Sequence, residues 1–334
     1  MEKSGITAAG NWIVDKTKVI DDFPPQDGLA NILNETAANG GSPYNILKDL
    51  YQLGAEFPLQ GIGTIGNDDA GQFIIEDCAR HAIDSQYLKT VPEVGTSFTD
   101  VMTSKATGRR TFFHYRGANA VLDQDHFPVD LLDCKIFHLG YLLLLDKLDQ
   151  IDVDGKTGAS KILQAVQQKG IKTAVDIVSE NSDRFQQVVI PSLPFVDYLF
   201  VNEYEASKIT GVNADPTDLE SMFAASQALL DAGVKEIVFL HASDGAVALT
   251  KSGERFVQGR IQYPKELIKG ASGAGDAFAA GVLYGLHEGF SIEKCLQLGV
   301  GTAASSLSEP TCSDSVLKAN EALALGEKYG YLNW

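Results

Sequence analysis

For most of its length the chain alternates short apolar runs with helical stretches, and this rhythm restricts the fold more than any other feature. Residues 171–178 (IKTAVDIV) are rich in β-formers and follow a helical stretch at 159–169. Residues 197–201 (DYLFV) form a second apolar run, followed by polar residues and a helix. A third run, 236–240 (EIVFL), follows a helix at about 219–232. A hairpin is expected at 246–249 and 255–257, then helices at 277–287 and about 292–307. The apolar run 139–145 reads as a buried strand. Repeated strand–helix units of this kind imply an α/β fold: a central, mainly parallel sheet flanked by helices.

Two segments interrupt the rhythm. Residues 16–39 have no helical period and contain Pro24-Pro25 and Asp27-Gly28. Residues 91–118 are rich in Thr, Val and Phe around an expected turn at 106–108. Both read as extended strands without crossover helices, forming a small β-sheet that projects from the main body. Inserts of this length are commonly functional. The sheet is expected to be a lid over a site, a contact between two copies in a homodimer, or both.

Composition excludes several partners. The formal charge of −17 repels nucleic-acid backbones and anionic lipid, so an anionic ligand must be held locally, by backbone dipoles or a bound cation. No run of eighteen apolar residues is present, so no membrane span is expected. The first residues, Met1-Glu2-Lys3-Ser4, lack the pattern of a secretory signal. The four cysteines are scattered and show no zinc-finger spacing, as expected of a reducing, cytoplasmic setting.

Residues 270–281 (GASGAGDAFAAG) carry the most chemistry. Gly273, Ala274 and Gly275 lead directly into a helix that begins near Asp276. Small residues let successive N–H groups approach an anion, and the helix N-terminus adds partial positive charge. A phosphoryl group in transfer would be stabilised there. Asp276, at the rim, is placed to take a proton from an attacking hydroxyl. The same four residues also suit an ordinary helix cap.

Five further segments complete a constellation: Gly10 to Asp15, Gly40-Gly41 to Asn45, Gly61 to Gly71, Gly108 to Asn119, and Asn202 to Glu205. With Gly273 to Asp276 they resemble, in order and spacing, the pfkB family of carbohydrate kinases, also called ribokinase-like. The resemblance runs from about residue 6 to 310 and implies a single ribokinase-like domain over 1–334, with the lid segments inserted in it. It implies that Asp276 is the catalytic base and that the preceding amides form the anion hole. It further implies that Asp15, closing the first strand, binds substrate hydroxyls, with Gly41 and Asn45 nearby. On the lid, alternation places Arg110, Phe112, His114 and Arg116 on one face, and His114, Arg116 and Asn119 are candidate sugar contacts. Glu205 is expected to order water around Mg2+ beside ATP, with Asn202 close by. Asp176 lies at the carboxyl edge of its strand, and Gly245 is retained from the nucleotide loop at 241–245. The family's Asp and Thr before the cradle are replaced by Gly270 and Ala271, which puts dependence on a monovalent cation in doubt.

The expected activity is therefore ATP-dependent phosphorylation of a small sugar's hydroxyl by in-line transfer. A phosphosugar acceptor is less favoured, since basic clusters are few. A nucleoside acceptor stays open, because Trp12 beside Asp15 offers an aromatic face for a base. A non-catalytic sugar or nucleotide sensor on the same fold also stays open. A dinucleotide-dependent oxidoreductase would use Gly61, Gly63 and Gly66 with Asp84, but no strand is evident to carry that acid.

Overall fold

The computed structural model describes residues 3–334. Strand β1 (Ile6–Gly10) opens the main body, and β2 (Ile13–Ile20) and β3 (Ile32–Gly40) leave it as a hairpin. Helix α1 (Ser42–Leu53), β4 (Leu59–Ile65), α2 (Asp69–Arg80) and β5 (Ile83–Thr90) return to it. Strands β6 (Phe98–Ser104) and β7 (Arg110–Tyr115) depart again. The chain then runs through β8 (Ile136–Leu142), α3 (Gly158–Gln168), β9 (Lys172–Ile177), α4 (Phe185–Val189), β10 (Tyr198–Asn202), α5 (Glu203–Thr210) and α6 (Leu219–Asp231). Strands β11 (Ile237–Ala242), β12 (Gly245–Thr250) and β13 (Arg255–Gly259) precede three helices, α7 (Ala274–His287), α8 (Ile292–Ser306) and α9 (Ala319–Tyr329).

Among the described residues, nine strands form one sheet in the order β13-β12-β11-β10-β9-β8-β1-β4-β5. Strands β12 and β13 are antiparallel, and the rest pair in parallel. After β1 the chain builds outward through β4 and β5, then returns to the other side of β1 with β8. The strand order thus reverses between β1 and β8, and ligands of open α/β sheets bind at the carboxyl ends beside such a reversal.

Each face of the sheet buries its own apolar cluster. On one side Leu163, Val175, Leu199, Ala206 and Leu229 pack with α3, α5 and α6. On the other, Ile6, Leu47, Phe200, Phe239, Phe278 and Leu298 pack with α1, α7 and α8. Burying one such large side chain contributes about 1.5–3 kcal/mol. The small residues of α7 and α8 have a packing cause. A Cβ on Gly281 would lie 2.6 Å from Thr302 Oγ1, and one on Gly299 would lie 2.8 Å from the Phe278 ring. The two helices approach too closely for larger side chains, which seats α7 tightly against α8.

The second sheet has four strands in the order β3-β2-β6-β7. It occupies the two segments that broke the strand–helix rhythm, although its first strand begins at Ile13, before the expected residue 16. Register aligns Asp15 of β2 with Thr99 of β6, and Thr99 with His114 of β7. Asp15 therefore does not close the first strand, as the sequence suggested. Strand β1 ends at Gly10, and Asp15 is the third residue of β2. The expected strand at 139–145 is likewise displaced: β8 stops at Leu142, and Leu143 turns with a φ of 75°. No helix among the described residues is long and apolar enough to cross a membrane.

Candidate active site

Helix α7 begins at the carboxyl edge of the sheet. Its N-cap is Gly273, at a φ of 74° that disfavours any side chain. No side chain caps this end, and the first N–H groups of a helix have no intrahelical acceptor. The amides of Ala274, Gly275 and Asp276 thus form the cradle expected from the sequence, with Ala274 rather than Asp276 opening the helix. Gly273 is seated on the loop at Cys312, where a Cβ would come within 2.7 Å of Cys312 Cβ.

Asp276 is buried in the first turn of α7. Asn45 Nδ2 donates to its Oδ2 at 2.7 Å. The Tyr141 hydroxyl donates to the same carboxylate, lying 2.7 Å from Oδ1 and 2.6 Å from Oδ2. Burial pushes Asp276 up to about 6, against the pull of these two donors. Tyr141 was not a candidate from the sequence. It stands just past Gly140, which pairs with Gly10 at the strand-order reversal. The Asn11 side-chain oxygen accepts from the Tyr141 amide.

Asn45 does not reach out toward an open cleft. Its Oδ1 accepts from Asn39 Nδ2 at 2.7 Å, so both ends of its amide serve the base. Asn39 in turn accepts from the buried Lys48 at 3.1 Å and donates to Ser313 at 2.8 Å. Gly41 caps α1 at a φ of 83° and lies against the Asn11 carbonyl, 2.2 Å from where its Cβ would be. These residues join the base, the substrate loop and the Cys312 loop into one polar network.

Asp15 faces this network from the lid. Burial raises it to about 7, Thr99 stabilises its charged form, and Asp276 raises it further. The Cys312 thiol lies 3.9 Å from Asp15 Oδ2. On the same lid face, His114 Nδ1 is 3.1 Å from Thr99 Oγ1, and its buried Nε2 has no partner among the described residues. Arg116 is paired with Asp146 at 3.3 Å and Glu180 at 3.8 Å.

Three expectations change. Asn119 accepts from the Trp12 amide and donates to the Trp12 carbonyl, both at 3.1 Å, which commits its side chain to the backbone between β1 and β2. Trp12 itself is fully buried, stacks on Tyr44 at 5.2 Å and donates to the Ile62 carbonyl, so it offers no face to a base. Gly61 and Gly63 make room for that indole: Cβ atoms there would approach it to 2.5 and 2.2 Å. A strand does carry Asp84, contrary to the sequence reading, since it is the second residue of β5, but Gln60 and Gln86 donate to its carboxylate; packing on the indole, not a dinucleotide, accounts for the glycine pattern.

A cavity of about 650 Å³ lies on the far side of the cradle, lined by His241, Gly245, Tyr263, Ala271, Ala274, Gly275, Phe278 and Ala303, among others. Its volume and apolar walls suit a nucleotide. The His241 ring passes 3.4 Å from the position of a Gly275 Cβ and is held neutral, pushed down to about 4 by burial. Of the four nucleotide-side candidates, Gly245 alone lines this cavity. Asn202 and Glu205 form a reciprocal capping box on α5: Asn202 Oδ1 accepts from the Glu205 amide at 2.8 Å, and Glu205 accepts from the Asn202 amide at 2.9 Å. Glu205 Oε1 also accepts from Ser179 at 2.7 Å. Burial raises Asp176 well above the usual range, and the charges of Asp276 and Glu205 raise it further. Asp176 therefore feels both other acids at the carboxyl end of the sheet.

The profile described as "pfkB family carbohydrate kinase" matches residues 12–319. The 5-dehydro-2-deoxygluconokinase of Geobacillus thermodenitrificans is 28% identical, over 83% of this chain and 80% of its own. That of Clostridium perfringens is 26% identical, over 91% and 89%. Ribokinase of Arabidopsis thaliana, solved with ribose and ATP, superposes with a TM-score of 0.81 at 21% identity, covering 97% of this chain and 99% of that one. Ribokinase of Thermotoga maritima gives a TM-score of 0.78 at 20% identity, over 96% and 99%. The fold is thus ribokinase-like, and the chain belongs to the pfkB family of carbohydrate kinases.

Proposed function

We propose that this kinase transfers the γ-phosphoryl group of ATP to a hydroxyl of a small sugar, with Asp276 as the general base. One observation carries the reading: a buried carboxylate stands at the mouth of a helix-terminal cradle, between Asp15 on the lid side and the 650 Å³ cavity on the other. An ionised carboxylate has about four acceptor sites. Asn45 and Tyr141 leave some of these free for an incoming hydroxyl.

In this mechanism Asp15 and His114 orient the sugar by its hydroxyls. Asp276 removes the proton from the acceptor hydroxyl, whose oxygen attacks the γ-phosphorus in line. The bond to the β–γ bridging oxygen breaks, ADP leaves, and the amides of Ala274 and Gly275 hold the charge on the transferring group. The lid covers the sugar and limits hydrolysis of ATP. Dimerisation through the lid sheet belongs to the same proposal, supported by the exposed Ile32, Leu33 and Phe113.

Among the described residues no three acidic or sulfur and imidazole groups converge to hold a metal directly. Magnesium carried on the nucleotide and its waters nevertheless fits the acids present, because the charges of Asp276 and Glu205 both act on the buried Asp176 and a cation there would relieve them. When bound, magnesium would neutralise phosphate charge, with Glu205 and Asp176 ordering its water. A monovalent cation held by a carboxylate at residue 270 does not fit. Gly270 brings no acid, and a Cβ there would meet Pro310 Cα at 3.0 Å.

The direct test is ADP release with ATP, magnesium and a panel of pentoses, hexoses, nucleosides and oxidised sugar acids of the kind the gluconokinase relatives are named for. Turnover is expected on a sugar or sugar acid and not on a nucleoside. Tight binding of a sugar without ADP formation would contradict the proposal.

The hydroxyl of Tyr141 stabilises the charged form of Asp276. Burial nevertheless keeps Asp276 at about 6, so wild-type kcat/KM should fall as pH drops below about 6. Tyr141→Phe removes a donor to the anion, so its acid limb should move to higher pH. An unmoved or lower limb would deny the Tyr141–Asp276 bond a role.

A further inference from the structure

We propose that Arg110 is a catalytic residue delivered by the lid, gripping the phosphoryl group as it crosses from nucleotide to sugar. The inference rests on the kinase reading above and adds a residue to it. Arg110 opens β7, and its Nη1 donates to the hydroxyl of Ser272 across 162 positions of sequence. Ser272 immediately precedes Gly273, the cap of α7. The guanidinium of a lid strand therefore rests against the loop whose following amides form the cradle.

The electrostatics favour an anion at this point. Around the cradle, Lys269 is paired with Glu309 at 2.7 Å and Arg260 with Asp244 at 3.4 Å. On the lid, Lys18 is paired with Asp100, and Arg116 with Asp146 and Glu180. Arg110 is instead held by a neutral hydroxyl and lies 5.9 Å from the Phe112 ring on the same lid face. In a chain of formal charge −17, a guanidinium with no carboxylate partner among the described residues, beside an anion cradle, keeps its charge for an anionic ligand. One bond to Ser272 uses one of its five N–H donors, and the planar fork matches two oxygens of a phosphoryl group.

The cradle amides approach that group from α7, and Arg110 approaches from the lid. Closure over the sugar would thus complete the charge stabilisation, so that ATP is cleaved efficiently only when the acceptor is covered. The transfer itself is unchanged. The γ-phosphorus loses its bond to the bridging oxygen and gains one to the sugar oxygen, the proton goes to Asp276, and Arg110 stays protonated throughout.

Steady-state kinetics of Arg110→Gln, Arg110→Lys and Ser272→Ala, with nucleotide affinity measured in parallel, test this. Removal of one preorganised donor to a transition-state anion costs about 10²–10³-fold. Arg110→Gln should lose about 100-fold in kcat with its melting temperature unchanged and nucleotide affinity within about threefold. Added guanidinium ion should restore part of the loss, and Arg110→Lys should fall between Gln and wild type. Ser272→Ala should lose far less, since the hydroxyl only parks the side chain. A kcat for Arg110→Gln within about threefold of wild type would overturn the proposal. So would a loss confined to KM, or equal losses in Arg110→Gln and Ser272→Ala, which would mark a simple latch. Failure of the wild-type chain to form ADP with any acceptor would overturn the kinase reading and this one together; normal turnover by Arg110→Gln overturns the arginine alone.

Discussion

Asp276→Asn should lower kcat by about 10²–10⁴-fold, the range in which positioned general bases act. The amide keeps the shape of the side chain and can still accept from Asn45 and Tyr141, but it cannot take a proton. Nucleotide and sugar affinity should change little. The substitution should also leave the fold at least as stable, because the charge of Asp276 raises the proton affinity of Asp15, Asp49 and Asp176 around it. A thermal melt equal to or above wild type, together with lost turnover, distinguishes a missing base from a damaged fold. Turnover near wild type would remove Asp276 from the role of base.

Gly273→Val is expected to abolish most activity from the opposite side of the reaction. At a φ of 74° a branched side chain is strained by about 1–2 kcal/mol. Its Cβ would also stand 2.7 Å from Cys312 Cβ and 3.0 Å from Cys312 Cα, contacts with a loop that cannot simply rotate away. That loop carries Cys312 toward Asp15 and Ser313 toward Asn39. Displacing it moves the cradle amides and loosens the network behind the base at once. A fall in kcat of at least about 100-fold follows if cradle donors are lost, with stability lower by about 2–4 kcal/mol from strain and overpacking. Weakened nucleotide binding should accompany it, in contrast to Asp276→Asn. A Gly273→Val enzyme with normal turnover would show that this turn does not hold the phosphoryl group.

Local signals were readable from the sequence and nonlocal ones were not. The strand–helix rhythm located β9 to β11 and their helices, since each depends on periodicity within a dozen residues. Gly273 to Asp276 was legible because a glycine turn into a helix is a local event. Asn45 was placed correctly in the first turn of α1, yet its partner lies 231 residues away, and only the packing of α1 on α7 brings the two together. Tyr141 gave no signal, because an aromatic residue in an apolar run reads as core. Its role comes from the pairing of β8 with β1. Asn119 and Trp12 misled for the opposite reason. The motif of Asn119 resembles a substrate turn and Trp12 stands beside Asp15, but in the folded chain the Asn119 side chain serves the Trp12 backbone. The capping pattern of Asn202 and Glu205 was visible in sequence, and the structure forms it.

The most direct measurement is a crystal structure with the acceptor sugar and a non-hydrolysable ATP analogue bound together. The expected result is one sugar hydroxyl within about 2.6–3.2 Å of the Asp276 carboxylate, lying in line with the γ-phosphorus above the Ala274 and Gly275 amides. A complex in which another group meets the reacting hydroxyl, or in which the γ-phosphoryl lies away from the start of α7, would contradict the account.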